Sequence, residues 1–286
     1  MSKLRLVSGQ GMSSEMQISK YTIWGSWPRL LVIVAVLTSA CSTVLGDLAL
    51  ETETARVLNP GQVEGGAAFE FQTAFDGQEY AFPGFVEFGV LPHLEVLIEP
   101  VAAVLIRPTS GGKAATSFGE LETTVTGLIL EERKYVPALA AGFEVKFPTS
   151  NNFAVGSGEY DYRIYGILSK RIGDVDVHLN LGYNIIGSPP GVATKNPLDF
   201  EVAAEWFVNP KIDIFAEYNR TNSSVGRSGH GMDFVPTVIT AEVAPLTVVG
   251  SVGMRYHVNS HLKVFGSFSY DNSDAKLFRT GFSIEY

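Results

Sequence analysis

Apolar and polar side chains alternate with a period of two along most of this chain, the pattern of β-strands that separate two environments. The clearest run spans residues 175–185, where odd positions are Val, Val, Leu, Leu, Tyr and Ile, and even positions include Asp176, His178 and Asn180. Residues 197–208 and 212–222 repeat the pattern. Each run therefore predicts a strand with one apolar and one hydrated face.

About twelve such runs cover the chain from residue 62 onward, and each is between 11 and 14 residues long. Strands of ordinary globular proteins have about 5–6 residues, whereas a tilted membrane-spanning strand needs about 9–11. The length therefore favours strands that cross a membrane. The predicted strands are 62–75, 80–90, 94–107, 118–131, 138–149, 159–171, 175–187, 197–208, 212–222, 247–258, 262–272 and 276–286.

The connections between these runs alternate in length. Short turns lie at 91–93, 132–137, 172–174, 209–211 and 259–261, and longer loops at 108–117, 150–158, 188–196 and 223–246. Short periplasmic turns and longer outer loops are typical of outer-membrane barrels, although 76–79 and 272–275 are short connections on the outer side. The pattern predicts an all-β fold, a transmembrane antiparallel up-and-down β-barrel of about 12 strands, with both termini in the periplasm.

The two faces of the runs do not suit a soluble barrel, whose interior one of the faces would have to fill. The apolar face carries too many rings for one barrel core, and the other face is too charged to be buried dry. We therefore expect the apolar face to contact lipid and the polar face to line the interior. The outward aromatic residues would form two interfacial girdles: Trp206, Tyr256 and Tyr286 near the short turns, and Phe75, Tyr80, Tyr160, Tyr218 and Tyr270 near the loops.

The chain begins with the layout of a secretory signal. Four bases precede or open an apolar block at 29–41, and small residues follow it. We predict a signal peptide at 1–46, a short periplasmic segment at 47–61 that would enter the lumen as a partial plug, and an outer-membrane barrel at 62–286. Cleavage after Gly46 competes with lipidation of Cys41, and Met12 or Met16 is an alternative start.

The last eight residues, RTGFSIEY, alternate like a strand up to the final aromatic residue. Gly281, Ile284 and Tyr286 are similar to the C-terminal signal by which outer-membrane barrels are recognised for assembly. The last strand would then close the ring against the first one. The expected partners are accordingly outer-membrane lipid and the barrel-assembly machinery.

The net charge of the chain excludes one class of function. The first 46 residues hold four of the 21 bases and one of the 30 acids, so the exported chain would have 17 bases, 29 acids and a net charge of −12. An acidic exported protein is a poor binder of nucleic acid, and we exclude that partner. Since Cys41 is the only cysteine, no internal disulfide can form.

The predicted inner face is rich in carboxylates and poor in bases. It would form an acidic path that favours cations, or a network of ion pairs that fills a narrow barrel. Inward rings (Phe85, Tyr165, Phe207, Phe215 and Phe265) would line a route for apolar solutes or pack against their neighbours. The candidate lumen-lining residues are Glu70, Glu87, Glu95, Glu99, Glu120, Glu122, Glu144, Arg163, Asp176, His178, Asp199, Glu201, Glu205, Asp213, Glu217, Arg255 and Arg279.

Enzymatic chemistry has one candidate segment, the loop 223–234, which holds Ser223, Ser224, Ser228, His230 and Asp233. Ser, Gly and Asp are also ordinary loop residues, and the loop lacks a lipase or protease signature. The histidines are not spaced like metal ligands. We expect no catalysis, metal or cofactor. A non-conducting structural barrel and a lipid-cleaving barrel enzyme remain alternative hypotheses.

Three stretches, 51–72, 83–100 and 136–150, carry a family resemblance. They contain a Gly-x-x-x-x-x-Glu turn at Gly89 and Glu95, and a strand with Pro137 and Gly142 that ends in the Phe-Pro-Thr of 147–149. In these features the chain resembles the meta-pathway phenol-degradation family of outer-membrane proteins, a transporter-like group. The resemblance implies a small barrel for uptake of small, aromatic or hydrophobic compounds.

Overall fold

The computed structural model describes residues 50–75, 77–109, 112–190, 194–222 and 246–286. Strands with alternating faces account for most of them. In chain order they are β1 (Val63–Ala74), β2 (Gly77–Leu91), β3 (Leu94–Pro108), β4 (Ala115–Ser117), β5 (Leu121–Leu130), β6 (Ala138–Phe147), β7 (Asp161–Ile172), β8 (Val175–Ile185), β9 (Leu198–Asn209), β10 (Ile212–Asn222), β11 (Leu246–His257), β12 (Leu262–Asp271) and β13 (Lys276–Glu285).

The strands form one antiparallel sheet that closes into a ring. Each long strand pairs with its neighbours along the chain, and β13 also pairs with β1 from Glu64 opposite Glu285 to Thr73 opposite Lys276. The backbones of Val63 and Tyr286 exchange two further hydrogen bonds of 3.0 and 2.8 Å. The barrel thus has twelve long strands and no open edge, which confirms the fold predicted from the sequence.

One predicted strand is shorter than expected, and a separate short strand precedes it. Within residues 118–131 the structure has β5 alone, whereas β4 lies in the predicted loop 108–117. β4 pairs with the outer part of β3, and β5 pairs with the remainder. The break between β4 and β5 lies next to an irregular ladder, where the β2–β3 register shifts between Ala81 and Pro83. Pro83 has no N–H to donate, so a bulge is tolerated there. Opposite the bulge the chain is held at Gly119, whose N–H donates to the carbonyl of Val101 at 3.0 Å.

The apolar face of the sheet points outward. On β8, Asp176, His178 and Asn180 are buried, whereas Leu181 and Tyr183 are 56% and 44% exposed. The same alternation of buried and exposed side chains recurs along β7, β9 and β10. Large outward side chains on a closed ring, with charged side chains inside it, are the arrangement of a barrel that faces lipid.

The two ends of the barrel differ as expected. The connections after β2, β7, β9 and β11 have at most four residues, and the predicted short turn at 132–137 lies in a seven-residue connection after β5. Gly173 and His93 adopt φ values of 62° and 67° in two of the shortest turns. The longer connections lie at the opposite end, where residues 148–160 fold over β4 and β5. In the described part of the chain, no helix has the length and hydropathy to span a membrane.

Candidate functional site

The interior of the ring is the candidate site, and its wall is polar. Every charged or polar side chain that was predicted to face the lumen is buried on the inner face of the described barrel, with at most 7% of its surface exposed. These are Glu70, Glu87, Glu95, Glu99, Glu120, Glu122, Glu144, Arg163, Asp176, His178, Asp199, Glu201, Glu205, Asp213, Glu217, Arg255 and Arg279. Glu120 lies between β4 and β5, and the others lie on strands.

The segment 50–60, called the plug below, lies inside the barrel along this wall. Its backbone N–H groups donate to inner-face side chains on several strands, which satisfies donors that would otherwise be buried without partners. The contacts are Glu51 to Glu217 at 2.9 Å, Glu53 to Asn180 at 2.7 Å, Ala55 to Ser169 at 2.8 Å and Leu58 to Glu95 at 2.7 Å. These bonds reach from the end of the short turns to the middle of the wall.

The base of the plug rests on the two residues of the Gly-x-x-x-x-x-Glu turn. Glu95 accepts the N–H of Leu58, and Gly89 exchanges backbone hydrogen bonds with Gly61 and Gln62 at 2.9 and 3.1 Å. A Cβ on Gly89 would lie less than 3.0 Å from the backbone of Asn59, so only glycine allows this approach. The chain then turns into β1 through Gly61, with φ 87°. Both motif residues thus hold the plug.

A charged cluster secures the plug near the short turns. The guanidinium of Arg56 donates to both carboxylate oxygens of Asp176, at 2.7 and 2.9 Å, and to Glu132 at 2.6 Å. Glu132 also accepts from Lys170 at 2.7 Å and from the N–H of Arg171 at 3.0 Å. We call Arg56, Asp176, Glu132 and Lys170 the clasp. Bidentate guanidinium–carboxylate pairing fixes direction as well as distance, so the clasp sets the position of the plug.

The clasp holds Glu132 ionised. Partial burial raises the pKa of Glu132, but the hydrogen bonds from Lys170, Arg56 and the Arg171 N–H outweigh it and lower the pKa to about 2. The carboxylate therefore carries its charge throughout the neutral and mildly acidic range.

The tip of the plug is apolar. Leu50 is 8% exposed and packs in a cluster with Phe85, Phe215 and Phe265 from the wall, completed by Leu97, Ala68 and Ala203. Barrels with few strands are filled by side chains, and here this filling includes a segment of the chain itself. In the described structure the plug and this apolar cluster occupy the middle of the lumen.

Ion pairs fill much of the remaining interior. Each buried base contacts more than one carboxylate, as expected where an unpaired charge would be costly. Arg163 contacts Asp199 at 2.5 Å and Glu201 at 2.6 Å; Arg255 contacts Glu205 and Asp213; Arg279 contacts Glu51 and Glu70; Lys263 contacts Glu64 and Glu285; and Lys146 contacts Glu120 and Asp161. Carboxylates still outnumber bases on the inner face.

Inward rings lie across glycines on adjacent strands. A Cβ at the glycine would come within 3.0 Å of the ring in each of four directly paired positions. The pairs are Gly66 with Phe85, Gly142 with Tyr165, Gly253 with Phe215 and Gly281 with Phe265. Tyr165 also lies 4.3 Å from the guanidinium of Arg163. Phe207, partly exposed, is covered by Arg171 at 3.7 Å instead. The rings therefore pack against the wall, one of the two predicted alternatives.

Several contact residues were not singled out from the sequence. Arg56, Glu132 and Ser169 hold the plug, and nothing in strand periodicity identifies them. One signal was present: Arg56 is the only base between residues 47 and 61. Cys41 and the loop candidates Ser223, Ser224, Ser228, His230 and Asp233 lie outside the described residues. Within those residues, no group of three or more His, Cys, Asp or Glu is arranged to hold a metal ion.

Comparison with known proteins supports the fold. No protein-family model matches the sequence, and no curated protein matches it. Among solved structures, the COG4313 outer membrane channel from Pseudomonas putida F1 matches with a TM-score of 0.64 and 11% identity, over 83% of this chain and 100% of that chain. The KdgM porin in complex with disordered oligogalacturonate matches with a TM-score of 0.51 and 11% identity, over 77% of this chain and 98% of that one. Both share the barrel fold with this protein.

Proposed function

We propose that this protein is an outer-membrane channel through which small molecules pass by diffusion along the barrel interior. The observation that carries the proposal is the closed twelve-strand ring with an apolar exterior and a charged interior, the fold it shares with the COG4313 outer membrane channel. Passage of this kind needs geometry and field but no cofactor. Export by the signal at 1–46 and insertion through the C-terminal residues Gly281, Ile284 and Tyr286 belong to the same proposal.

The interior favours cations over anions. Carboxylates exceed bases along the wall, and buried pairs such as Arg163 with Asp199 and Glu201 leave further acids close by. A lumen lined by one sign of charge lowers the energy of counter-ions and raises that of ions of like charge. Neutral solutes are affected less than ions, because they carry no net charge.

The solute class follows from the family resemblance together with the centre of the lumen. The meta-pathway phenol-degradation family implies small aromatic or hydrophobic compounds, and the resemblance rests on Gly89, Glu95, Pro137, Gly142 and residues 147–149. Support comes from the cluster of Phe85, Phe215 and Phe265 around Leu50, which gives an otherwise charged interior an apolar section. A small aromatic solute would cross that section more readily than a hydrated ion.

Reconstitution of the purified chain tests both parts of the proposal. In planar bilayers under a salt gradient, the reversal potential should show cation selectivity. Liposome swelling should be faster with small aromatic solutes than with charged sugars of similar size. Glu201→Gln together with Glu217→Gln should reduce the selectivity, whereas the exposed Glu131→Gln should leave it unchanged. Strong anion selectivity would refute the acidic path.

One observation favours a second candidate, a structural barrel that does not conduct. The plug and the ion pairs occupy the middle of the lumen. If the plug and the ion pairs remain in place, the barrel is a rigid structural protein of the membrane that does not conduct. Absence of both conductance and swelling in the wild type and in variants with a weakened clasp would support this alternative.

A further inference from the structure

The outer surface of the barrel has an apolar groove of about 950 Å³ in its lipid-facing wall. The groove lies across β10 to β13, β1 and β2, and its size is at the upper end of the range of about 300–1,000 Å³ for ligand pockets. Its outward side chains are Phe69, Phe71, Tyr80, Ile214, Val252, Met254, Phe268, Phe278 and Thr280, with Gly266 among them.

The groove is open at Gly266, which has no side chain. Gly266 pairs with Thr280 on one side and with Met254 on the other, while large rings stand around them. Phe278 lies 4.9 Å from Phe268 and 6.5 Å from Phe71 between ring centroids. A Cβ on Gly266 would meet only the carbonyl oxygen of Arg279, at 3.9 Å, so no neighbouring atom requires glycine at this position. The space is therefore open to an occupant from the membrane.

A row of four paired residues with a base at each end lies above the groove, toward the end of the longer loops. Lys276, Thr73, Gln78 and Arg107 are consecutive partners across β13, β1, β2 and β3. Lys276 and Arg107 point outward and are exposed, with roughly 14 Å between their strands. Arg107 lies 5.3 Å above the ring of Tyr80. Neither base makes an ion pair with another described residue, and Asp274, the nearest acid in the β12–β13 turn, is bound to Tyr270.

We propose that this surface binds a phosphorylated, multi-acyl glycolipid of the outer leaflet, the lipid A class, with acyl chains in the groove and phosphates at Lys276 and Arg107. The apolar groove fits hydrocarbon, and the two separated bases fit a headgroup with a phosphate at each end of a disaccharide. A second copy of the chain fits less well, because a stable interface needs about 800 Å² per partner and would bring like charges together. The site is independent of the lumen and of the proposed channel.

Native mass spectrometry of the purified full-length barrel with bis-phosphorylated lipid A tests the proposal. Removing one charge near the membrane surface costs about 1 kcal/mol, which is about fivefold in affinity. We therefore expect about 25-fold weaker binding for R107Q/K276Q. The matched control, K134Q/K195Q, removes two exposed bases away from the groove and should bind within about twofold of wild type. G266F fills the groove and should weaken binding while Lys276 and Arg107 remain.

Resistance of the barrel to SDS without heating shows that each variant is folded, and R107Q/K276Q lies entirely on the exposed face. Lipid A without phosphates should bind as weakly to wild type as intact lipid A binds to R107Q/K276Q. Equal binding of phosphate-free and intact lipid A overturns the proposal. A loss of lipid A binding in K134Q/K195Q equal to that in R107Q/K276Q also overturns the proposal. Because these measurements use no ion flow, a negative result here does not bear on conduction.

Discussion

At the scale of single residues, Arg56 is the strongest link between the plug and the wall. It makes three hydrogen bonds with two carboxylates, those of Asp176 and Glu132. A hydrogen bond to a charged group contributes about 2 kcal/mol, which corresponds to about a 30-fold change in the population of a displaced plug. We therefore predict that Arg56→Gln raises the conductance of reconstituted barrels. Lys134→Gln changes an exposed base in the connection that holds Glu132 and should not raise the conductance. Equal conductance of Arg56→Gln and wild type would show that the clasp does not control the plug.

Glu132 makes the strength of the clasp depend on pH, and the clasp weakens as the pH falls. Its pKa is lowered from 4.5 to about 2, so its contribution is complete above pH 4.5 and is lost as the pH falls toward 2. We predict that wild-type conductance is constant between pH 8 and pH 5 and rises below pH 4. Arg56, Lys170 and the N–H of Arg171 face this carboxylate, and Asp176 binds the same guanidinium of Arg56.

Comparison of two carboxylate variants isolates that effect from the titration of other acids. Glu132→Gln should conduct more at neutral pH and show a smaller rise on acidification. Glu131→Gln, at an exposed neighbouring position, should follow the wild type. If both variants retain the full rise below pH 4, groups other than Glu132 release the plug.

At the scale of strands, paired glycines and rings determine the inner surface. Gly142 lies opposite Tyr165, and a methyl group there would overlap the ring. Overpacking of this kind costs about 1–3 kcal/mol. Gly166 lies on the outer face of β7 with nothing within 4 Å of its Cβ position. We predict that Gly142→Ala lowers the urea midpoint of unfolding in vesicles, and that Gly166→Ala keeps or raises it. Equal midpoints for the two variants would contradict the packing argument.

The strands were predictable because a period of two in the sequence is the physical period of the strand. Residues 175–185 show it throughout, and β8 has these bounds; residues 212–222 show it with exceptions such as Phe215, and β10 has those bounds. The short strand β4 within the predicted loop 108–117 was not predictable, since it forms by pairing with the outer part of β3, next to the β2–β3 register shift at Pro83. The Gly142–Tyr165 contact likewise depends on register, which the period alone does not specify.

At the scale of the whole molecule, the wall was predictable but the position of the plug was only a hypothesis. Residues 50–60 have no strand period, and their contacts depend on side chains that come together only when the ring closes. Glu51 contacts Glu217, 166 positions away, and Arg56 contacts Asp176. A closed ring with a segment inside it creates a specific question for function, namely whether passage requires the segment to move.

A reversible cross-link answers that question. The hydroxyl oxygens of Thr54 on the plug and Ser169 on β7 are 3.4 Å apart, so cysteines at both positions are close enough to pair. In a Cys41→Ser background, Thr54→Cys/Ser169→Cys should lose conductance and aromatic-solute swelling on oxidation and regain both on reduction. The single variants should not respond to either treatment. If the oxidised and reduced forms conduct equally, solutes pass beside a fixed plug. If passage returns only on reduction, the plug is the gate, because reduction releases residue 54 of the plug and leaves the residues of the wall the same in both forms.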